Sequence, residues 1–163
     1  MSPLLALFLF LHVMGAIAVF GPTFVFPIIA SQAQKSPQNG AFAAALSDLI
    51  ERRIVIPGAI VQGITGVCLI LILGVNPLTD PAWRWLLLGI VLYLIAIGFA
   101  IFVQAPNAEK MVHLTASVQP GGPPPAETVA AIQATGKALQ RGGMLLTVLI
   151  VLIVLLMVTK PTL

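Results

Sequence analysis

The chain reads as an all-α protein: a four-helix transmembrane bundle of antiparallel, up-down topology with both termini outside. Three observations predict this. Of the 163 residues, 59% are hydrophobic and only 8% charged, where a soluble domain has about a quarter charged; mean hydropathy is +1.07. Four stretches reach or approach the roughly 20 apolar residues that cross a bilayer core, and none contains Asp, Glu, Lys or Arg. Basic residues then alternate from one connection to the next. The length suits one integral membrane domain, residues 1–163.

The first span covers about 3–26. Pro22 and Pro27 kink its far end, because each removes a backbone donor. Ala16-Ile17-Ala18 resembles a signal-peptidase site, but the basic leader is missing and the apolar run continues about ten residues further, so a retained helix is expected. The second span is about 54–73, the third 85–103 and the fourth 142–158. Breakers bound them: Ser36-Pro37 and Asn39-Gly40, Asn76-Pro77 and Asp80-Pro81, Pro106-Asn107, then Gly142-Gly143. The connections 31–53 and 104–141 are expected as long cytoplasmic loops, partly helical over 41–53 and 126–140. The Pro/Gly-rich 119–125 reads as their most flexible piece.

Orientation follows from charge. The first connection carries Lys35, Arg52 and Arg53, and the third Lys110, Lys137 and Arg141. The second carries only Arg84 and the tail only Lys160. Positive loops stay inside, so both long connections face the cytoplasm of a plasma (inner) membrane. Trp83 and Trp85 mark the outer interface of the third span. A net charge of +3 from scattered, loop-bound residues does not describe a nucleic-acid surface. The single cysteine, Cys68, excludes an intramolecular disulfide. No phosphate loop, nucleophile triad, paired carboxylates or zinc spacing occurs, so no metal site is expected.

His12 stands out. An ionisable ring inside an apolar span is costly and normally faces the bundle interior. It lies about nine residues into the first span, roughly 13 Å deep at about 1.5 Å per residue. Antiparallel neighbours at that depth are Thr65, Tyr93 and Ile150. Gln62, Thr65 and Cys68 make a mildly polar stripe on the second span, and Gly15 and Ala16 leave room beside the ring. Three readings compete: a packing hydrogen bond to Thr65, Gln62 or Tyr93; an axial haem ligand; or a proton or metal step in a transport path. Met14, Met144 and Met157 are weaker thioether candidates, and His113 reads as a solvated loop histidine.

The segment Leu11-His12-Val13-Met14-Gly15-Ala16-Ile17-Ala18-Val19-Phe20-Gly21 resembles the first-helix signature of a group of small bacterial integral membrane proteins of unknown function. It is similar, more distantly, to haem-binding membrane protoporphyrinogen oxidases and to copper-resistance D membrane domains. Glu51-Arg52-Arg53 with Pro57-Gly58 resembles the oxidase family's second-helix start, and Val158-Thr159-Lys160-Pro161 its last-helix ending. The resemblance implies haem b, with His12 as an axial ligand and Arg52 or Arg53 as partners of a propionate or a lipid headgroup. The oxidases carry a further histidine and a lysine on the third helix. Both are missing in 85–93, where Tyr93 stands nearest the second histidine's place.

The expected function is an accessory or scaffold bundle with His12 as a buried polar anchor. The alternatives are a haem-dependent membrane oxidoreductase and a small-solute or metal permease. The lipid bilayer is the expected partner, with a second copy or another membrane subunit as a further candidate.

Overall fold

A computed structural model describes residues 2–118 and 124–161. Four long helices account for the described residues: α1 (Pro3–Lys35), α2 (Gly40–Leu73), α3 (Pro81–Ala116) and α4 (Ala126–Thr159). Each is long and apolar enough to cross a membrane. At 33 to 36 residues each spans about 50 Å, against a hydrocarbon core of about 30 Å. Every helix therefore continues well past its apolar segment.

The helix expected over 41–53 and 126–140 is present, and helix also continues through Phe26–Lys35 and Ala105–Ala116 of the connections 31–53 and 104–141. Pro106-Asn107 does not end α3, and Gly142-Gly143 does not begin α4. The physical reason is visible in the backbone. A π-helical turn at Glu51–Val55 precedes Pro57, and another at Ala100–Gln104 precedes Pro106 at the same spacing. A proline inside a helix removes a donor and crowds the carbonyl four residues back. Widening the preceding turn relieves that clash and lets the helix continue. In α1 the same problem is met differently: Gly21–Phe24, containing Pro22, tightens to a 3-10 turn before the helix resumes at Phe26–Lys35. Of the Pro/Gly-rich segment 119–125, residues 119–123 lie outside the described residues.

The true ends carry ordinary signals. Ser2 caps α1, accepting from the Leu5 amide at 3.2 Å, with Pro3 following it. Gly74 closes α2 with φ of 65°, a left-handed conformation in which a Cβ is strained. Asp80 caps α3 through the Ala82 amide at 3.0 Å.

Pro3–Phe20 packs on Ile56–Leu73, and Arg84–Phe99 on Ala126–Thr159. Beyond the irregular turns, Gly40–Ile50 and Ala105–Ala116 pack together, with α4 against the latter. At one end the Trp83 and Trp85 rings lie 5.8 Å apart, and the Lys160 ammonium sits 5.9 Å from Trp85. That contact joins the start of α3 to the end of α4 and marks the tryptophan end. The opposite, basic end carries Lys35, Arg52, Arg53, Lys110, Lys137 and Arg141.

Polarity is inverted relative to a soluble protein. Leu71, Phe102 and Val158 are 74%, 79% and 75% exposed, while Glu51, Gln62, Gln104, Thr23, Thr65 and Thr135 are buried. A bundle that turns large apolar side chains outward and polar ones inward is built for lipid.

Candidate functional site

The buried polar residues gather at two levels. The first is the α1–α2 joint around His12. Its Nδ1 lies 2.9 Å from the Thr65 hydroxyl. Thr65 Oγ1 also donates to the Gln62 carbonyl at 2.9 Å. A hydroxyl has one proton to give, so Thr65 accepts from His12, and the uncharged imidazole carries its proton on Nδ1. Nε2 is left with a bare lone pair. Gln62 Nε2 donates to the His12 carbonyl at 2.9 Å, so the same two helices are tied twice.

Small residues make this approach feasible. A Cβ on Gly66 would meet the His12 ring at 3.3 Å, and one on Gly15 would meet Gln62 Oε1 at 2.6 Å. The depth-matched pairing of His12 with Thr65 is thus what the helices adopt. Tyr93 goes elsewhere. Its hydroxyl donates to the Ala59 carbonyl and its ring lies against Gly63. It bridges α3 to an adjacent face of α2, about a quarter-turn from the face His12 uses.

The second level lies where the apolar segments give way to the basic end. The 3-10 turn of α1 supplies Thr23, the π turn of α2 supplies Glu51, and the π turn of α3 supplies Gln104. These three and Tyr93 line one cavity of about 60 Å³ among all four helices. Its remaining lining is almost wholly apolar, for example Phe20, Ile97 and Leu146. His12 does not line it.

Hydrogen bonding at this level is incomplete. Gln104 Nε2 donates to the Leu139 carbonyl at 3.2 Å, but the buried Gln104 Oε1 and Thr23 Oγ1 have no partner. Gln104 reaches this position because Gly142 has no side chain in its way. Glu51 is only 6% exposed and makes no ion pair among the described residues. It precedes the apolar segment 54–73, and its carboxyl is pushed up to about 7. Burial is the main cause, the charge of Asp48 adds to it, and Arg52 opposes it.

The arginines point away from both levels. Arg52 bonds Asp48 at 2.8 Å and Glu109 at 2.9 Å, tying α2 to α3 on the exposed surface. Arg53 is exposed. His113 is exposed too, 3.9 Å from Glu109, and Cys68 is half-buried.

Sequence reasoning found His12, Thr65, Gln62 and Tyr93 but not the second level. Glu51 enters only through the Glu51-Arg52-Arg53 motif, and Gln104 falls at the start of the connection expected over 104–141. The usable signal was the pair of prolines followed by continuing helix, Glu51 lying six residues before Pro57 and Gln104 two before Pro106.

No match is found among curated proteins or among solved structures. A family model matches residues 6–161, which takes in all four apolar segments and both polar levels. The chain therefore belongs to the family described as "Predicted integral membrane protein (DUF2269)", whose function is unknown.

Proposed function

We propose that the protein is an accessory or scaffold bundle of the plasma membrane, in which His12 is a polar anchor fixing α1 to α2. One observation carries this reading: the ring nitrogen Nδ1 and the backbone carbonyl of the same residue are both engaged by the next helix, through Thr65 and Gln62. Hydrogen bonds between helices in lipid fix their register and rotation. The basic end faces the cytoplasm on this reading, since six of the eight basic residues lie there, and both termini are then outside.

A second reading draws on the tautomer. An Nδ1–H held by an acceptor leaves Nε2 free to ligate, as second-shell hydrogen bonds do for metal-bound histidines. That favours haem b with His12 as one axial ligand, in line with the resemblance to the membrane oxidases. Against it, the cavity of about 60 Å³ is far below the roughly 300–1,000 Å³ of small-molecule sites and lies away from His12.

Visible spectroscopy of the purified protein, expressed with haem supplied, separates the two. The anchor reading expects no Soret band, oxidised or reduced, and a loss of helix-pair stability in His12→Ala. A Soret band that His12→Ala abolishes and His113→Ala retains overturns it in favour of haem.

A further inference from the structure

We propose that the exposed face of α4 at the basic end, built on Lys137 and Arg141, is a binding site for one anionic phospholipid of the surrounding bilayer. The periodicity of α4 is the first reason. Ala126–Thr159 is one uninterrupted α-helix, so residues three and four apart share a face. Lys137, Arg141, Met144, Val148, Val151 and Leu155 follow that spacing, and all are exposed. The buried residues of α4, Thr135, Gly142, Leu149 and Ile150, lie on the opposite side of the helix. The exposed face is therefore a single strip, two cations followed by apolar side chains, left uncovered by the other helices.

Depth is the second reason. Between Arg141 and Lys160 the chain carries no charge and rises about 28 Å at about 1.5 Å per residue. That is close to the roughly 30 Å of a hydrocarbon core. Lys160 lies at the tryptophan end, against Trp85. Arg141 stands at the opposite edge of the core, and Lys137 one turn, about 6 Å, beyond it. Both cations fall in the headgroup layer, and the apolar part of the strip runs alongside the acyl chains.

Charge is the third. Neither Lys137 nor Arg141 makes an ion pair among the described residues. Glu127, the acidic residue of α4, is about 15 Å from Lys137 along the axis. Glu109 of the adjoining α3 is turned to Arg52, which also holds Asp48. Two unpaired cations one turn apart, a flexible ammonium and a guanidinium fork that takes two oxygens, match a phosphodiester. A bilayer phospholipid brings that anion with acyl chains attached beneath it, where the apolar strip lies. A free phosphate or an acidic protein segment does not use that strip. The site is independent of the role of His12.

The test is native mass spectrometry of the full-length protein in a neutral detergent, with equal amounts of phosphatidylglycerol and phosphatidylcholine of one chain length. Preferential retention of one phosphatidylglycerol per chain is expected. Lys137→Gln with Arg141→Gln should lower that retention about tenfold, the scale of two cations beside an anionic headgroup. Both side chains are exposed, so this variant keeps the packing of the bundle, which its melting temperature checks. Arg53→Gln with Lys110→Gln removes the same charge from other exposed positions and should leave retention unchanged. Equal retention of the two lipids by the wild type overturns the proposal, as does an equal loss in the Arg53 and Lys110 variant. Displacement of the lipid by an equal concentration of inorganic phosphate or of hexaglutamate also overturns it, in favour of a soluble anion or an acidic protein segment.

Discussion

The two buried polar levels use similar residues to opposite effect. At the His12 joint the donors are spent: imidazole on hydroxyl, hydroxyl on carbonyl, amide on carbonyl. Both helices there run as regular α-helix. At the basic end the backbone is irregular in three helices, and Thr23 Oγ1 and Gln104 Oε1 are buried without a partner, as is Gln62 Oε1 at the joint. Hydrogen bonds between lipid-embedded helices hold position; the two levels differ in backbone regularity and in enclosing a cavity, since both keep a buried acceptor without a partner.

Breaking the first level should have the largest effect. Gly15→Leu drives a side chain into Gln62 Oε1, so the Gln62 side chain must give up the His12 carbonyl. A loss of about 3 kcal/mol is expected, the upper range for overpacking, read as reduced resistance to unfolding in detergent. The equivalent crowding of an exposed position such as Gly21, which has nothing near its absent Cβ, should be milder.

The second level should respond to pH through Glu51. The folded Glu51 carboxyl sits at about 7, above its ordinary value of 4.5. Below pH 4.5 the carboxyl is protonated in folded and unfolded chains alike, and the burial carries no penalty. Between about 4.5 and 7 the unfolded chain ionises while the folded one holds its proton, so stability falls as pH rises, then levels off above 7. The expected loss is on the order of 2 kcal/mol, measured by melting from pH 4.5 to 8. A Glu51→Gln protein that keeps the same slope would place its origin in another group.

A double-mutant cycle sharpens the joint. His12→Ala and Thr65→Val should each cost about 1 kcal/mol, and together clearly less than their sum, because both remove the same hydrogen bond. Fully additive losses would mean that the 2.9 Å contact contributes nothing. The smallest effect belongs to the surface. Arg52→Ala removes two exposed ion pairs, is expected to cost less than about 1 kcal/mol, and should cost nothing at high salt.

Much of this was readable in one dimension. Charge-free apolar runs marked the four helices, the Asp80-Pro81 breaker stands at the start of α3, and depth counting alone matched His12 with Thr65. Those inferences rest on local chemistry: hydropathy, cap preference and a fixed rise per residue. The breakers misled where a helix could repair itself. Pro106 read as a stop, yet the π turn at Ala100–Gln104 lets α3 pass through it. Gly142-Gly143 read as a start, yet Gly142 serves a helix contact, admitting Gln104.

By itself the sequence determined that this chain lives in lipid, where its helices cross, and that His12 must find a polar partner, because the free energy of placing each segment in hydrocarbon is close to a sum over its own residues. Only the tertiary structure decided that Tyr93 turns away from His12 and that Glu51, Gln104 and Thr23 share a cavity. Whether a carboxylate more than thirty residues from Tyr93 in sequence is solvated or enclosed depends on how three irregular helical turns line up in space, and no local pattern contains that alignment.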